Sequence, residues 1–336
     1  MRISAIKEGT LYRDIIRGAL ETTWRRRELW PLGFLASLLM MNGGAFEFIV
    51  RAIYKISSGD PYSGFAAGSQ AVLSALFASD PTTQMSVFFS LMLALAVFAL
   101  VILSAASASG ALLNAVSRRA MKKKRSVREA FAAGASRVGA LIFTQLVGRV
   151  VIFAFFTLAA LGVYSSMTNG VGVAVGAVLF IIFSLVALVV TFLMMMTNAG
   201  IMIAGERWMN AAHDAIRLLK RHWLISIEMI GLVFLAALGG GALILAALAV
   251  IIAPFTLILL ALSALHVPAL IAVFTFVFGL LGLFAVVVGG SMLAVFEHAA
   301  WALLYVRLSE RTAVPKFERL WRMIKKFKPH ARRKQR

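Results

Sequence analysis

A chain of 336 residues that is 61% hydrophobic and only 14% charged falls well short of the roughly one-quarter charge of a soluble domain. Its mean hydropathy of +0.90 points to the membrane, and its lack of cysteine excludes disulfides, thiol catalysis and thiolate metal sites. The net charge of +20 is held in blocks, since residues 1–28, 118–137, 207–221 and 307–336 contain 31 of the 34 Lys and Arg. Such blocks beside apolar runs point to anionic lipid headgroups as partner and disfavour nucleic acid.

Residues 3–27 predict an amphipathic helix. Leu11, Ile15, Ile16, Ala19, Leu20 and Thr23 fall on one face, and Arg13, Asp14, Arg17 and Glu21 on the other. Trp24 and Trp30 flank the triplet Arg25–Arg27, as in an interfacial belt. Span one is expected at Leu29–Val50, with Pro31 in its first turn and Glu47 positioned to pair with Arg51. Residues 51–84 read as a loop on the opposite side, and span two as 85–117.

After the basic run Lys122–Arg125, span three is expected at 138–164 and span four at 171–204, with a turn at 165–170. Residues 150–205 are 56 uncharged positions. As one helix they would reach roughly 84 Å against about 30 Å of hydrocarbon, so they must turn back. Residues 205–222 repeat the amphipathic pattern. Trp208, Ala212, Ala215, Ile216 and Leu219 lie on one face, and Arg207, Asp214, Arg217 and Arg221 on the other. Spans five and six lie within 223–306, with a turn expected near 263–268 and Pro254 inside span five.

The expected fold is an all-α polytopic transmembrane helix bundle of six spans, over 1–314. Its hairpins cover about 29–117, 138–204 and 223–306, followed by a basic amphipathic tail at 315–336. Keeping the basic blocks on one side places both termini in the cytoplasm and the protein in the cell membrane. Each hairpin begins with an amphipathic basic helix, as "RDIIRGALETTWRRRELWPLGFLASLL", "RSVREAFAAGASRVGALIFTQLVG" and "ERWMNAAHDAIRLLKRHWLISIEMIGL" display. "SGALLNAVSRR" aligns with "NAGIMIAGERW", placing Gly110 and Gly200 in register 90 residues apart. Such similarity predicts three parallel helix-plus-hairpin repeats.

"WRRRELWPLGFLASLL" (24–39), "SGALLNAV" (109–116), "REAFAAG" (128–134) and "AGERWMNAAHDAIRLLKRHW" (204–223) carry a resemblance. They resemble a family of bacterial six-helix integral membrane proteins, similar to the membrane domain that accompanies some glycerophosphoryl diester phosphodiesterases. The resemblance implies a fold and no reaction, because a phosphodiesterase barrel needs about 250 further residues.

Motifs of catalysis and metal binding are sparse. His213, His222, His266, His298 and His330 form no H-x-x-x-H pair, and no cofactor is expected. Gly172 and Gly176 have the small-xxx-small spacing of helix packing rather than a phosphate loop. Met194–Met196 read as apolar filler. The informative residues are the polar groups inside spans: Gln145 and Arg149 in span three, Glu228 in span five and Glu297 in span six. A mid-bilayer charge costs roughly 3 kcal/mol on insertion scales, so such groups pair or face water. Depth matches Arg149 with Glu297, and Glu228 is shallower. A structural pair and a polar pathway are both open readings.

In the tail, Phe317, Leu320, Trp321, Ile324 and Phe327 form an apolar face surrounded by Lys and Arg. Lys316, Arg319, Trp321, Arg322, Lys325 and Lys326 are the candidate lipid-surface residues. The function expected is a non-enzymatic scaffold or accessory protein that organises lipid or membrane-protein partners, a second copy included. The alternative is a secondary transporter or permease with its site at Arg149, Glu228 and Glu297.

Overall fold

Proline and small polar residues set where the helices begin. In the computed structural model, which describes residues 11–38, 74, 77, 80–120, 126–167, 172–264 and 268–309, every regular element is helical. They are α1 (Leu11–Arg25), a 3-10 turn (Arg27–Leu29), α2 (Trp30–Ser37), α3 (Pro81–Ala120), α4 (Val127–Ala135), α5 (Val138–Met167), α6 (Gly172–Ala199), α7 (Trp208–Arg221), α8 (Trp223–Ala264) and α9 (Pro268–Ser309). Pro31, Pro81 and Pro268 occupy first turns, where the missing N–H costs nothing. Asp80 caps α3 by accepting from the backbone N–H groups of Thr82 and Thr83 at 3.3 and 3.2 Å. These bonds, with those from both threonine hydroxyls, hold its pKa down to about 2. Ser126 caps α4 by accepting from Glu129 N at 3.2 Å.

Five helical segments are long and apolar enough to cross a membrane: Pro81–Val116, Val138–Phe155, Ile181–Ala204, Trp223–Ala264 and Ala269–Ser309. α8 ends at Ala264 and α9 starts at Pro268, within the turn expected at 263–268, and Pro254 lies inside α8. The rest of span one, the Glu47–Arg51 pair, nearly all of the 51–79 loop, Lys122–Arg125 and the tail with its six lipid-surface candidates lie outside the described residues.

The chain divides into two compact units. The first comprises Met1–Arg27, Gly110–Ala237 and Phe296–Arg336. Its described interior includes Leu112, Leu113, Leu141, Phe192, Met196, Ile201, Ile225, Met229, Leu304 and Leu308, all almost fully buried. Trp301 meets the edge of Phe192 at 5.9 Å. Lipid is as apolar as these side chains, so close packing rather than escape from the solvent stabilises such contacts. Met194 and Met196 belong to this interior, Met194 lying against Gly148. Buried Thr and Ser hydroxyls satisfy themselves within their own helices, as Thr144 does on Ala140 O (2.9 Å) and Ser226 on His222 O (3.0 Å).

The second unit comprises Glu28–Ser109 and Leu238–Val295. Here α8 and α9 run antiparallel. Gly240 lies against Leu293, Gly289 against Ile244, and Phe255 stacks on Phe278 at 4.1 Å. These pairs straddle residues 265–267 symmetrically. α2 approaches α9 so closely that a side-chain carbon at Gly33 would strike the backbone of Ser291.

Burial is graded along the helices. In α3, residues 105–116 are all buried and none of 81–104 is; in α9, burial begins at Val286. Each helix is therefore packed toward its basic end.

Two expected faces are corrected. α1 buries Tyr12, Ile15, Ala19, Thr22 and Thr23, while Leu20 is 59% exposed. α7 buries Ala211 and Ala215, with Ile216 exposed. Small and polar side chains permit close helix approach, and bulky apolar ones are left to an apolar surrounding.

Candidate functional site

The least regular backbone in the first unit lies at the end of α6. Gly200–Ala204 form a π turn, and Gly205 closes it at φ +80°, a left-handed conformation that glycine adopts without penalty. Glu206 N donates to Gly200 O at 3.3 Å. Arg137, just before α5, donates to the carbonyl of Ile201, and its guanidinium nitrogens stand 3.6 and 3.8 Å from where a Cβ of Gly205 would sit. Trp208 opens α7 by donating from Nε1 to Thr144 Oγ1 at 3.1 Å, with its ring edge-on to Phe143 at 4.7 Å. The turn is thus held on both sides by α5.

This arrangement presents two carboxylates to each other. Glu206 follows the turn and Asp214 lies on α7, with their side chains in hydrogen-bonding range. Carboxylates are acceptors only, so Glu206 Oε2, buried and without a donor, is answered only if one of the two carries a proton. Partial burial and the like charge of Asp214 push the Glu206 pKa up. Arg217 pairs with Asp214 at 3.1 Å, which leaves Glu206 the more burdened of the two. Tyr305 of α9 lies within electrostatic reach of both. The arrangement can hold or release a proton. Its residues belong to the AGERW stretch that carried the resemblance, but the sequence gave no reason to join Glu206 to Asp214. Glu206 precedes the helix that bears Asp214, so helical spacing does not relate them.

Comparison with protein-family models, curated proteins and solved structures finds no match. The site therefore has to be read from its own chemistry.

The polar residues expected inside spans occupy different environments. Glu297 is 7% exposed on α9. Arg149 projects from an exposed face of α5, with Gln145 half-buried one turn before it. Glu228 is half-buried on α8, yet both its carboxylate oxygens are buried without a hydrogen-bond partner. His213 is exposed. His222 has a buried Nε2 without a partner, and burial, with the adjacent Arg221, holds its pKa below the ordinary value. Among the described residues no three of His, Asp or Glu gather where they could hold a metal ion.

Proposed function

We propose that this chain is a six-span scaffold or accessory protein of the cell membrane, non-enzymatic, with both termini in the cytoplasm. It organises anionic lipid, and membrane partners or a second copy of itself, through its basic side. The single observation that carries this reading is the orientation of α1 and α7. Both dock on their own unit through small or polar residues such as Ala19 and Ala211, while Arg13, Arg17, Arg217 and Arg221 stay exposed. Charges displayed in this way are available to a surface of opposite sign.

The element order supports three repeated units, since α1, α4 and α7 each precede an apolar helix, α2, α5 and α8. Within this reading α2 begins the sixth span. Kinship with the membrane domain that accompanies glycerophosphoryl diester phosphodiesterases remains part of the proposal. Topology reporters fused after Arg125, Arg221 and Arg336 should all read cytoplasm, and one near Gly64 the outside. A C-terminus found outside would overturn six spans, because it would export the twelve basic residues of 307–336. Native mass spectrometry of the purified protein should find retained anionic lipid or a membrane partner; retention of neither defeats the scaffold.

A second reading, a secondary transporter, draws on Glu228, whose two buried oxygens lack a donor. In it Arg149 balances Glu297, or failing that Glu228, and faces the bundle interior. Removing one member of a buried pair should cost several kcal/mol, and removing both much less. Arg149→Met should then lower thermal stability in detergent, with partial recovery on adding Glu297→Leu. A double variant no better than the single one rules the pair out.

A further inference from the structure

Leu20 and Trp24 are the exposed bulky apolar residues of α1, at 59% and 61%. Packing within the first unit does not account for them, because Tyr12, Ile15, Ala19, Thr22 and Thr23 already supply the buried face. They are one turn apart. At 100° per residue Arg13, Arg17, Leu20 and Trp24 fall within about 60° of arc, so they form one outward stripe. Arg13 and Arg17 are exposed. Arg25 stands off this stripe and pairs with Glu21 at 3.2 Å.

We propose that this stripe of α1 is a docking surface for an anionic phospholipid. Arg13 and Arg17 lie at the level of its phosphate, and Leu20 and Trp24 enter the edge of the acyl region. The inference rests on the reading above, in which the basic side meets anionic lipid, and it names one place where this happens. Two features select lipid as occupant. The charge is complementary: with a net +20 the chain seeks an anionic surface. The stripe also joins arginine to a tryptophan and a leucine, the combination that suits a boundary between headgroups and hydrocarbon. A nucleic acid would engage the arginines and leave Leu20 in water.

The absence of cysteine makes the test direct, since one introduced thiol is labelled uniquely. Leu20→Cys in the full chain would carry an environment-sensitive fluorophore, with the protein reconstituted in nanodiscs of phosphatidylcholine with or without phosphatidylglycerol. The expected result is a blue shift and a loss of access to an aqueous quencher, both larger with phosphatidylglycerol. Arg13→Gln with Arg17→Gln should abolish the difference between the two lipids. Both arginines are exposed, so folding is checked simply by a retained elution profile and melting point. Ile324→Cys in the tail serves as reference. A tail probe that responds to phosphatidylglycerol beside a Leu20 probe that does not overturns this inference alone. Silence at both positions overturns the broader reading as well. Equal response of the Leu20 probe to the two lipids, or protection only when a soluble protein is added, removes anionic lipid as occupant.

Discussion

Arg137 donates a hydrogen bond to the carbonyl of Ile201, tying the segment that precedes α5 to the π turn that ends α6. The nearest N–H that could serve the turn, that of Glu206, is committed to Gly200 O. A charged donor to a backbone carbonyl is worth about 1.5–3 kcal/mol. Arg137→Gln should therefore lower stability by about that amount in a detergent melt. Arg137→Lys should recover only part of it, because a single ammonium cannot reproduce the planar fork beside Gly205.

Gly205 and Gly139 should respond in opposite directions to the same change. Gly205→Ala imposes a side chain on a residue at φ +80°, at a cost of about 1–2 kcal/mol. Gly139→Ala, in the first turn of α5, adds a carbon that meets nothing within 4 Å. It should be neutral or stabilising by up to about 1 kcal/mol. Equal melting shifts for the two would show that the left-handed turn is not maintained.

Glu206→Gln should stabilise the protein at neutral pH and lose its advantage in acid. The folded-state pKa of Glu206 lies above the model value of 4.5, so folding favours its protonated form. The stability it contributes is full below 4.5 and is lost as pH rises through the raised value. At neutral pH the ionised group opposes Asp214, and an amide relieves that repulsion. The melting-point difference between variant and wild type, followed from pH 7 downward, should shrink toward zero. A difference that grows in acid has the wrong sign for this pair.

Gly33→Ala tests the second unit. The added carbon would strike the backbone of Ser291 and stand 2.8 Å from Val295 Cγ2. Backbone cannot swing aside as a side chain does, so overpacking should cost about 1–3 kcal/mol. The check is a lower melting point for Gly33→Ala with little change for Gly279→Ala, where a Cβ meets nothing.

The long helices were legible because charge and proline mark their ends. Val267–Pro268 sets the α8–α9 turn, and Pro254, with no polar neighbours to begin a loop, stays inside its helix. The faces were less legible. Apolar periodicity separates inside from outside only when the outside is water. Around α1 the outside includes apolar contact, so Leu20 reads as core and is exposed, while Thr22 and Thr23 read as surface and are buried. In α3 the buried stretch 105–116 is rich in alanine and serine, which no hydropathy scale singles out as core. The Glu206–Asp214 pair was illegible for another reason. It depends on a π turn and a left-handed glycine, and neither leaves a periodic trace.

A π turn is a helix carrying one residue more than its hydrogen-bond ladder requires. Deleting a single residue within Gly200–Ala204 would return the segment to an ordinary α-helix of the same reach. Everything after it would then be rotated by about 100°. Trp208 would turn away from Thr144 and Phe143, and Glu206 away from Asp214, while hydropathy and charge stayed almost as they are. The length of this stretch, counted in residues, thus acts as a phase setting for the whole of α7.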